Sequence, residues 1–221
     1  MVKKRQKTAL TGLSILLLIL VSYYVVSIID YRQQTTELFA DAMGRQQDIL
    51  RGSGLTAWQM ESFLIVQDHD FFSHGGTNFS GGTMTTITQA LAKTLYFDSF
   101  SPGLAKIKQS LLARFALDPV ISKEDQLSLF LSSVYLGGAA GDLQVSGFRQ
   151  GAQAFFGKSL EDLTKEEFLS LLAALPAPNR LNPYLNPEEN AKRTREIAGL
   201  LSGTCKSAGL FRAQQPSCAN D

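Results

Sequence analysis

Apolar and polar positions follow two regimes along this chain. From Thr8 to Ile29 the run TALTGLSILLLILVSYYVVSII carries no charged residue, and its length matches the roughly 20 residues a helix needs to cross a bilayer. A transmembrane helix is expected there, with Tyr23 and Tyr24 toward its outer end and Asp30 and Arg32 closing it. A cleaved signal peptide is the other reading. It fits less well, because an h-region spans about 7–15 apolar residues and no small-x-small cleavage site follows this run.

Beyond Ile29 the pattern turns amphipathic. YRQQTTELFADAMGRQQDIL, Tyr31 to Leu50, places Leu38, Phe39, Met43, Ile49 and Leu50 as the apolar positions of a stalk helix that continues from the span, with Gly52 and Gly54 to end it. Thr56 offers an N-cap hydroxyl to AWQMESFLIVQD, where Trp58, Phe63, Leu64 and Val66 favour one side. VQDHDFF therefore falls at a helix C-terminus and its exit. FSGGTMTT, Phe79 to Thr86, is a Gly- and Thr-rich turn before ITQALAKTLYF, with Ile87, Leu91 and Leu95 at helical intervals. After the break at Ser101 to Gly103, LAKIKQSLLARFAL puts Ile107, Leu111, Leu112 and Phe115 on one face and leaves Lys106 and Gln109 to another. Ser122 with Asp125, and Thr164 with Glu167, are capping-box signatures opening two more helices, and Pro176 stops the second. Phe71, Phe72, Phe155 and Phe156 read as core, and Gly157 with Lys158 as a turn.

No period-2 strand run and no internal repeat occurs, so the expected fold class is all-α. The organisation expected is a cytoplasmic stub and anchor (1–30), a stalk helix (31–54), one helical domain (55–200) and a polar, loose tail (201–221). The net charge of +1 is uneven. Lys3, Lys4, Arg5 and Lys7 precede any acid, so the rest of the chain is net acidic and a nucleic-acid-binding face is excluded. Those cations before the span place the N-terminus in the cytoplasm and the domain outside. Cys205 and Cys218 are the only cysteines. An oxidising compartment would allow them to close a small loop, though two cysteines alone fix no geometry. Neither His69 nor His74 lies near them in sequence, which argues against a metal site.

Taken in order, QDHDFFSH, TTITQALAK, AKIKQ, LFLSSVYLGG, GAQAFFGK and LLAALPAPNRLNP resemble the successive motifs of the family 51 glycosyltransferases, which polymerise lipid II into peptidoglycan glycan strands. The likeness runs from about Leu55 to Asn190. It implies a lysozyme-like helical domain with a membrane-embedded hydrophobic region, usually behind one N-terminal anchor, and no cofactor, with any divalent metal left open. It also implies lipid II, a nascent strand, the membrane and cell-wall synthase or division proteins as partners.

The chemistry implied is glycosyl transfer with a lipid pyrophosphate leaving group. A carboxylate must take the proton of the acceptor hydroxyl, and cations must neutralise charge on the departing pyrophosphate. In this sequence the position of the first catalytic Glu is Gln67, followed by Asp68, Phe71 and His74 in the family's spacing, with His74 read as structural. The second Glu is Gln109. Ser128 and Ser132 stand where the family has an acid and an asparagine, Ala105 replaces an arginine and Ala90 a glutamine. Only Gly75 to Met84 separate His74 from Thr85, where the family carries a longer segment. Thr85, Thr86, Gln89 and Lys93 fall on the motif that contacts pyrophosphate and sugars, and Lys106 matches a cation of the next motif. An amide keeps the shape of a carboxylate without its proton affinity, and general-base catalysis contributes on the order of 10²–10⁴ in rate. The reading is a homologue with impaired catalysis that binds lipid II or glycan and regulates. An active enzyme using another acid, such as Asp68 or Asp70, and a purely structural interaction module stay open beside it.

Overall fold

The structure, a computed structural model, describes residues 2–46, 49–50, 54–78, 85–101, 103–206 and 217–218, without the side chains of 2–9, 206, 217 and 218. It is built of eight α-helices among the described residues: α1 (Val2–Gly44), α2 (Ala57–Gln67), α3 (Ile87–Tyr96), α4 (Leu104–Leu112), α5 (Lys123–Ser133), α6 (Phe148–Phe156), α7 (Lys165–Ala174) and α8 (Pro187–Leu201). A π-helical turn, Ala113–Leu117, prolongs α4. Two small hairpins join them: β1 (Tyr135–Gly138) with β2 (Gln144–Ser146), and β3 (Cys205–Lys206) with β4 (Ser217–Cys218).

Span and stalk are one helix. At 1.5 Å per residue α1 is about 65 Å long, twice the roughly 30 Å of a hydrocarbon core. The run from Leu10 to Ile29 is exposed on nearly every side. From Tyr31 onward the helix instead belongs to the domain, burying Thr35, Phe39 and Ala42 along one stripe. It stops at Gly44, short of the expected Leu50, because Gln46 N turns back to Met43 O. The expected Gly52 stop and the Phe79–Met84 turn lie outside the described residues, as does the tail apart from residues 201–206 and β4.

Helix starts at Thr56 and Thr164 follow the anticipated chemistry, and Thr86 adds a third of the same kind. Thr56, Thr86 and Thr164 each accept from the N3 amide while the N3 side chain, Gln59, Gln89 or Glu167, accepts from the cap amide. Ser122 accepts from Asp125 N, but Asp125 spends its carboxylate on the Ser122 hydroxyl instead of the backbone. The core gathers Phe63, Phe148 and Phe168, with Phe63 meeting Phe148 edge to face at 5.8 Å.

Two apolar readings are corrected. Leu112 is fully buried, but Ile107 is 52% and Phe115 43% exposed; they lie on the outward side of α4 and the π-turn, while Gln109, Leu112 and Ala116 turn inward. Phe71 is buried, yet its neighbour Phe72 is 51% exposed and meets it edge to face. The strands had no alternating signal for a physical reason: β1 is YLGG with a bulge between Tyr135 and Gly137, and its glycines carry no side chain to alternate. In the second hairpin Cys205 is disulfide-bonded, and its ladder partner is the chain's only other cysteine, Cys218.

Candidate functional site

The motif around Gln67 is a turn tied to the start of α3. Gln67 is the last residue of α2, and Asp68 breaks the helix with φ −163°. Asp68 is fully buried. Its carboxylate accepts from His74 Nε2 at 3.0 Å to each oxygen and from Ile87 N at 3.0 Å. The first amides of a helix lack internal acceptors and carry positive potential, so this anion is placed where α3 needs one. Asp68 is thereby committed on three sides.

Further bonds hold the turn. Phe71 lies under Lys123 Nζ, 4.6 Å from the ring centroid, and Lys123 pairs with Asp118 at 2.6 Å. Gly76, at φ +79°, presses against Ala113 of the π-turn so closely that a Cβ would meet Ala113 O at 2.6 Å. The Thr86 hydroxyl donates to Gly76 O at 2.8 Å. Gln67 itself is half-buried with no side-chain partner among the described residues. Asp70, the spare acid, is held by His69 Nδ1 and by Asn78 Nδ2, each at 3.0 Å. Those bonds, His69 first, keep its carboxyl below the usual range, which makes it a weaker base.

The second half of the site lies between α3 and α4. Gln89 is spent at both ends: its oxygen caps Thr86 N and its Nε2 donates to Ser110 Oγ at 2.9 Å. Gln109 is 1% exposed, and its Nε2 donates to Gln89 O at 2.6 Å, leaving Oε1 buried without a partner. Reversing that amide would set two carbonyl oxygens face to face, so the geometry fixes its orientation. Lys106 Nζ donates to Thr85 Oγ1 at 2.9 Å. Its ammonium is pushed below the ordinary lysine range by burial and, secondarily, by Lys93 beside it. Lys93 is exposed, with Nζ 5.0 Å from the Phe100 ring centroid. Among the described residues neither lysine pairs with a carboxylate.

Ser128 and Ser132 do different work. Ser128 donates back to Glu124 O within α5, and Ser132 donates to Ser128 O while accepting from Leu50 N at 3.0 Å. Sequence reasoning missed Ser110, Lys123 and Asp118. The only signal for Ser110 was its place one residue after Gln109. The sum is a pair of cations with a hydroxyl, backed by amides. No three His, Cys, Asp or Glu side chains gather as a metal would require among the described residues.

Comparison with known proteins adds an independent line. A family model described as Transglycosylase matches residues 79–201, beginning just after His74. Penicillin-binding protein 1A of Neisseria gonorrhoeae is 38% identical over 150 residues, which is 61% of this chain and 18% of that protein. Penicillin-binding protein 1A of Neisseria lactamica is 33% identical over 150 residues, with the same shares of 61% and 18%. Penicillin-binding protein 1F of Bacillus subtilis (strain 168) is 30% identical over 158 residues, 64% of this chain and 21% of that protein. The chain spans about a fifth of the length of these curated relatives.

Proposed function

The chain belongs to the transglycosylase family, and from that premise we propose that it is a catalytically impaired, membrane-anchored member that holds lipid II or a nascent glycan strand and regulates cell-wall synthesis. The cations preceding the apolar run orient it with the N-terminus inside and the domain on the periplasmic or extracellular side.

The observation that carries this reading is the 2.6 Å bond from Gln109 Nε2 to Gln89 O. An ionised carboxylate has no proton to donate, and in that place it would face a carbonyl oxygen. The donor side of this position therefore suits the amide and not an ionised carboxylate, while Oε1 stays buried without a partner. At the other catalytic position Gln67 cannot take a proton from an acceptor hydroxyl, and the nearest acids are committed, Asp68 to α3 and His74, Asp70 to His69 and Asn78. What supports binding is the pair Lys93 and Lys106 beside Thr85, two positive charges with no internal counter-ion among the described residues. Such a pair is matched by a pyrophosphate, whose charge it can meet with charge-assisted hydrogen bonds.

Purified full-length protein incubated with labelled lipid II tests both halves. Binding without strand synthesis above background is expected, and Lys93→Ala with Lys106→Ala should weaken binding about tenfold or more, since bonds to charged groups are among the stronger ones. Gln67→Glu with Gln109→Glu should recover a trace of polymer at most. Robust polymer from the unmodified chain would overturn the proposal.

A further inference from the structure

A second concavity includes Ser132 but none of Gln67, Thr85, Gln89, Lys93, Lys106 and Gln109. An open cavity of about 670 Å³ is walled by the end of α1, the end of α5, the junction of β2 with α6, and the loop 158–161. That volume is typical of small-ligand sites, which run to roughly 300–1,000 Å³ and are mostly apolar. This wall is not: among the described residues Leu160 is its only aliphatic side chain and no aromatic ring lines it.

Its charges are largely answered within the fold. Arg45 pairs with Asp41. Lys158 pairs with Glu167 at 2.7 Å, the main reason that carboxyl is held below its usual range. Arg149 and Glu161 add one charge of each sign to the wall. A strongly ionic ligand would find little net field there.

The neutral polar groups are the ones with capacity left. Gln46 spends its amide donor on Ala42 O at 3.1 Å, keeping its oxygen. Gln150 spends its oxygen on Ser146 N at 2.6 Å, keeping its NH₂. Gln153 is exposed, and neither it nor the Ser146 hydroxyl has a partner among the described residues. The cavity therefore offers both free donors and free acceptors, complementing ligand hydroxyls and acetamido groups, each of which both gives and takes a hydrogen bond.

We propose that this cavity is a separate saccharide site that takes an N-acetylated disaccharide stretch of a glycan strand through hydrogen bonds alone. The choice of sugar rests on the glycan-binding reading above, whereas the site is independent of the Lys93 and Lys106 pair. Full-length protein in lipid nanodiscs is titrated with N,N′-diacetylchitobiose by ligand-observed NMR, and in parallel with inorganic pyrophosphate. Chitobiose should bind saturably. Gln153→Ala should weaken it about fivefold, the loss of roughly one hydrogen bond, and Gln153→Trp, which fills the cavity, should abolish it. Because Gln153 is exposed and unpaired, both variants should keep the wild-type thermal transition. Lys93→Ala with Lys106→Ala should leave chitobiose binding intact while removing pyrophosphate binding. Absence of saturable chitobiose binding, or indifference of that binding to Gln153→Trp, would overturn the proposal. Failure of the unmodified protein to bind pyrophosphate, with chitobiose binding kept, would instead count against the lipid II reading.

Discussion

A carboxylate and its amide fill nearly the same volume, so what separates them at position 109 is the direction of one hydrogen bond. Gln109 gives its proton to Gln89 O. A glutamate there can make that contact only by staying protonated. Burial and the facing carbonyl both disfavour the anion, so the folded pKa of Gln109→Glu should rise above the ordinary glutamate value. An acid with a raised folded pKa costs nothing below its unfolded pKa and destabilises progressively as the pH climbs past it. Gln109→Glu should therefore match the wild type near pH 4 and lose roughly 1–3 kcal/mol by pH 7, the cost of a buried group left unsatisfied, read by denaturant unfolding at the two pH values. Equal losses at both would show that the amide's donor is not what the site needs. This residue also marks how far sequence reaches. That positions 67 and 109 are amides was legible in QDHDFFSH and AKIKQ. That Asp68 anchors the start of α3, where the motif suggested a base, and that Gln89 holds Ser110, where it suggested a substrate contact, was not, because a hydrogen-bond partner many residues away leaves no mark on local spacing.

The helix beginnings at Thr56 and Thr164 were legible because capping is local: each bonds to the residue three positions on, and Thr86, which the motif suggested as a substrate contact, does the same. The reading missed α8, although Pro187 at its first turn followed by Glu188 and Glu189 is a helix-start signal. It also ran α4 straight through the π-turn. There Ala113 O receives Asp118 N, the wider turn's own bond, and the same carbonyl packs on Gly76, a tertiary contact that local spacing does not show. The packing of α1 onto α3 and α4 was equally invisible. Tyr31 meets Tyr96 at 5.2 Å, the Thr35 and Tyr96 hydroxyls lie 2.7 Å apart, and Lys108 Nζ is 4.7 Å from the Tyr31 ring centroid. Burial raises the Tyr96 phenol from 10.0 to about 12. An unfolded chain thus ionises before the folded one, and stability should fall as pH rises from 10 to about 12. Tyr96→Phe should remove from that decline on the order of 2 kcal/mol. It should cost about 1 kcal/mol at neutral pH for the lost bond, since Thr35 still donates to Tyr31 O. Urea titrations at pH 7 and pH 11 separate the two effects, and an undiminished alkaline decline in the variant would clear Tyr96 of responsibility.

At the scale of the molecule, that packing means the domain does not hang from its anchor on a loose tether. The exposed apolar run and the buried stripe of Thr35, Phe39 and Ala42 belong to one unbroken helix. The tilt of α1 in a bilayer therefore sets the attitude of everything packed on it. α4 and the π-turn lie directly against α1, and they carry Leu104 at 70% exposure together with Ile107 and Phe115. Each large aliphatic group taken out of water is worth about 1.5–3 kcal/mol, so the favoured attitude is the one that brings this face to the lipid. It also brings Lys106, beside Ile107 in the chain, to the level of the headgroups, where a lipid-linked pyrophosphate would lie. Nitroxide labels at Leu104→Cys and Ile107→Cys in nanodisc-reconstituted protein should relax strongly with oxygen, which partitions into lipid. A label at Gln153→Cys should respond to an aqueous nickel chelate instead. If all three sites respond alike to the aqueous reagent, the domain stands clear of the bilayer, and the lysine pair cannot meet a substrate still anchored in it.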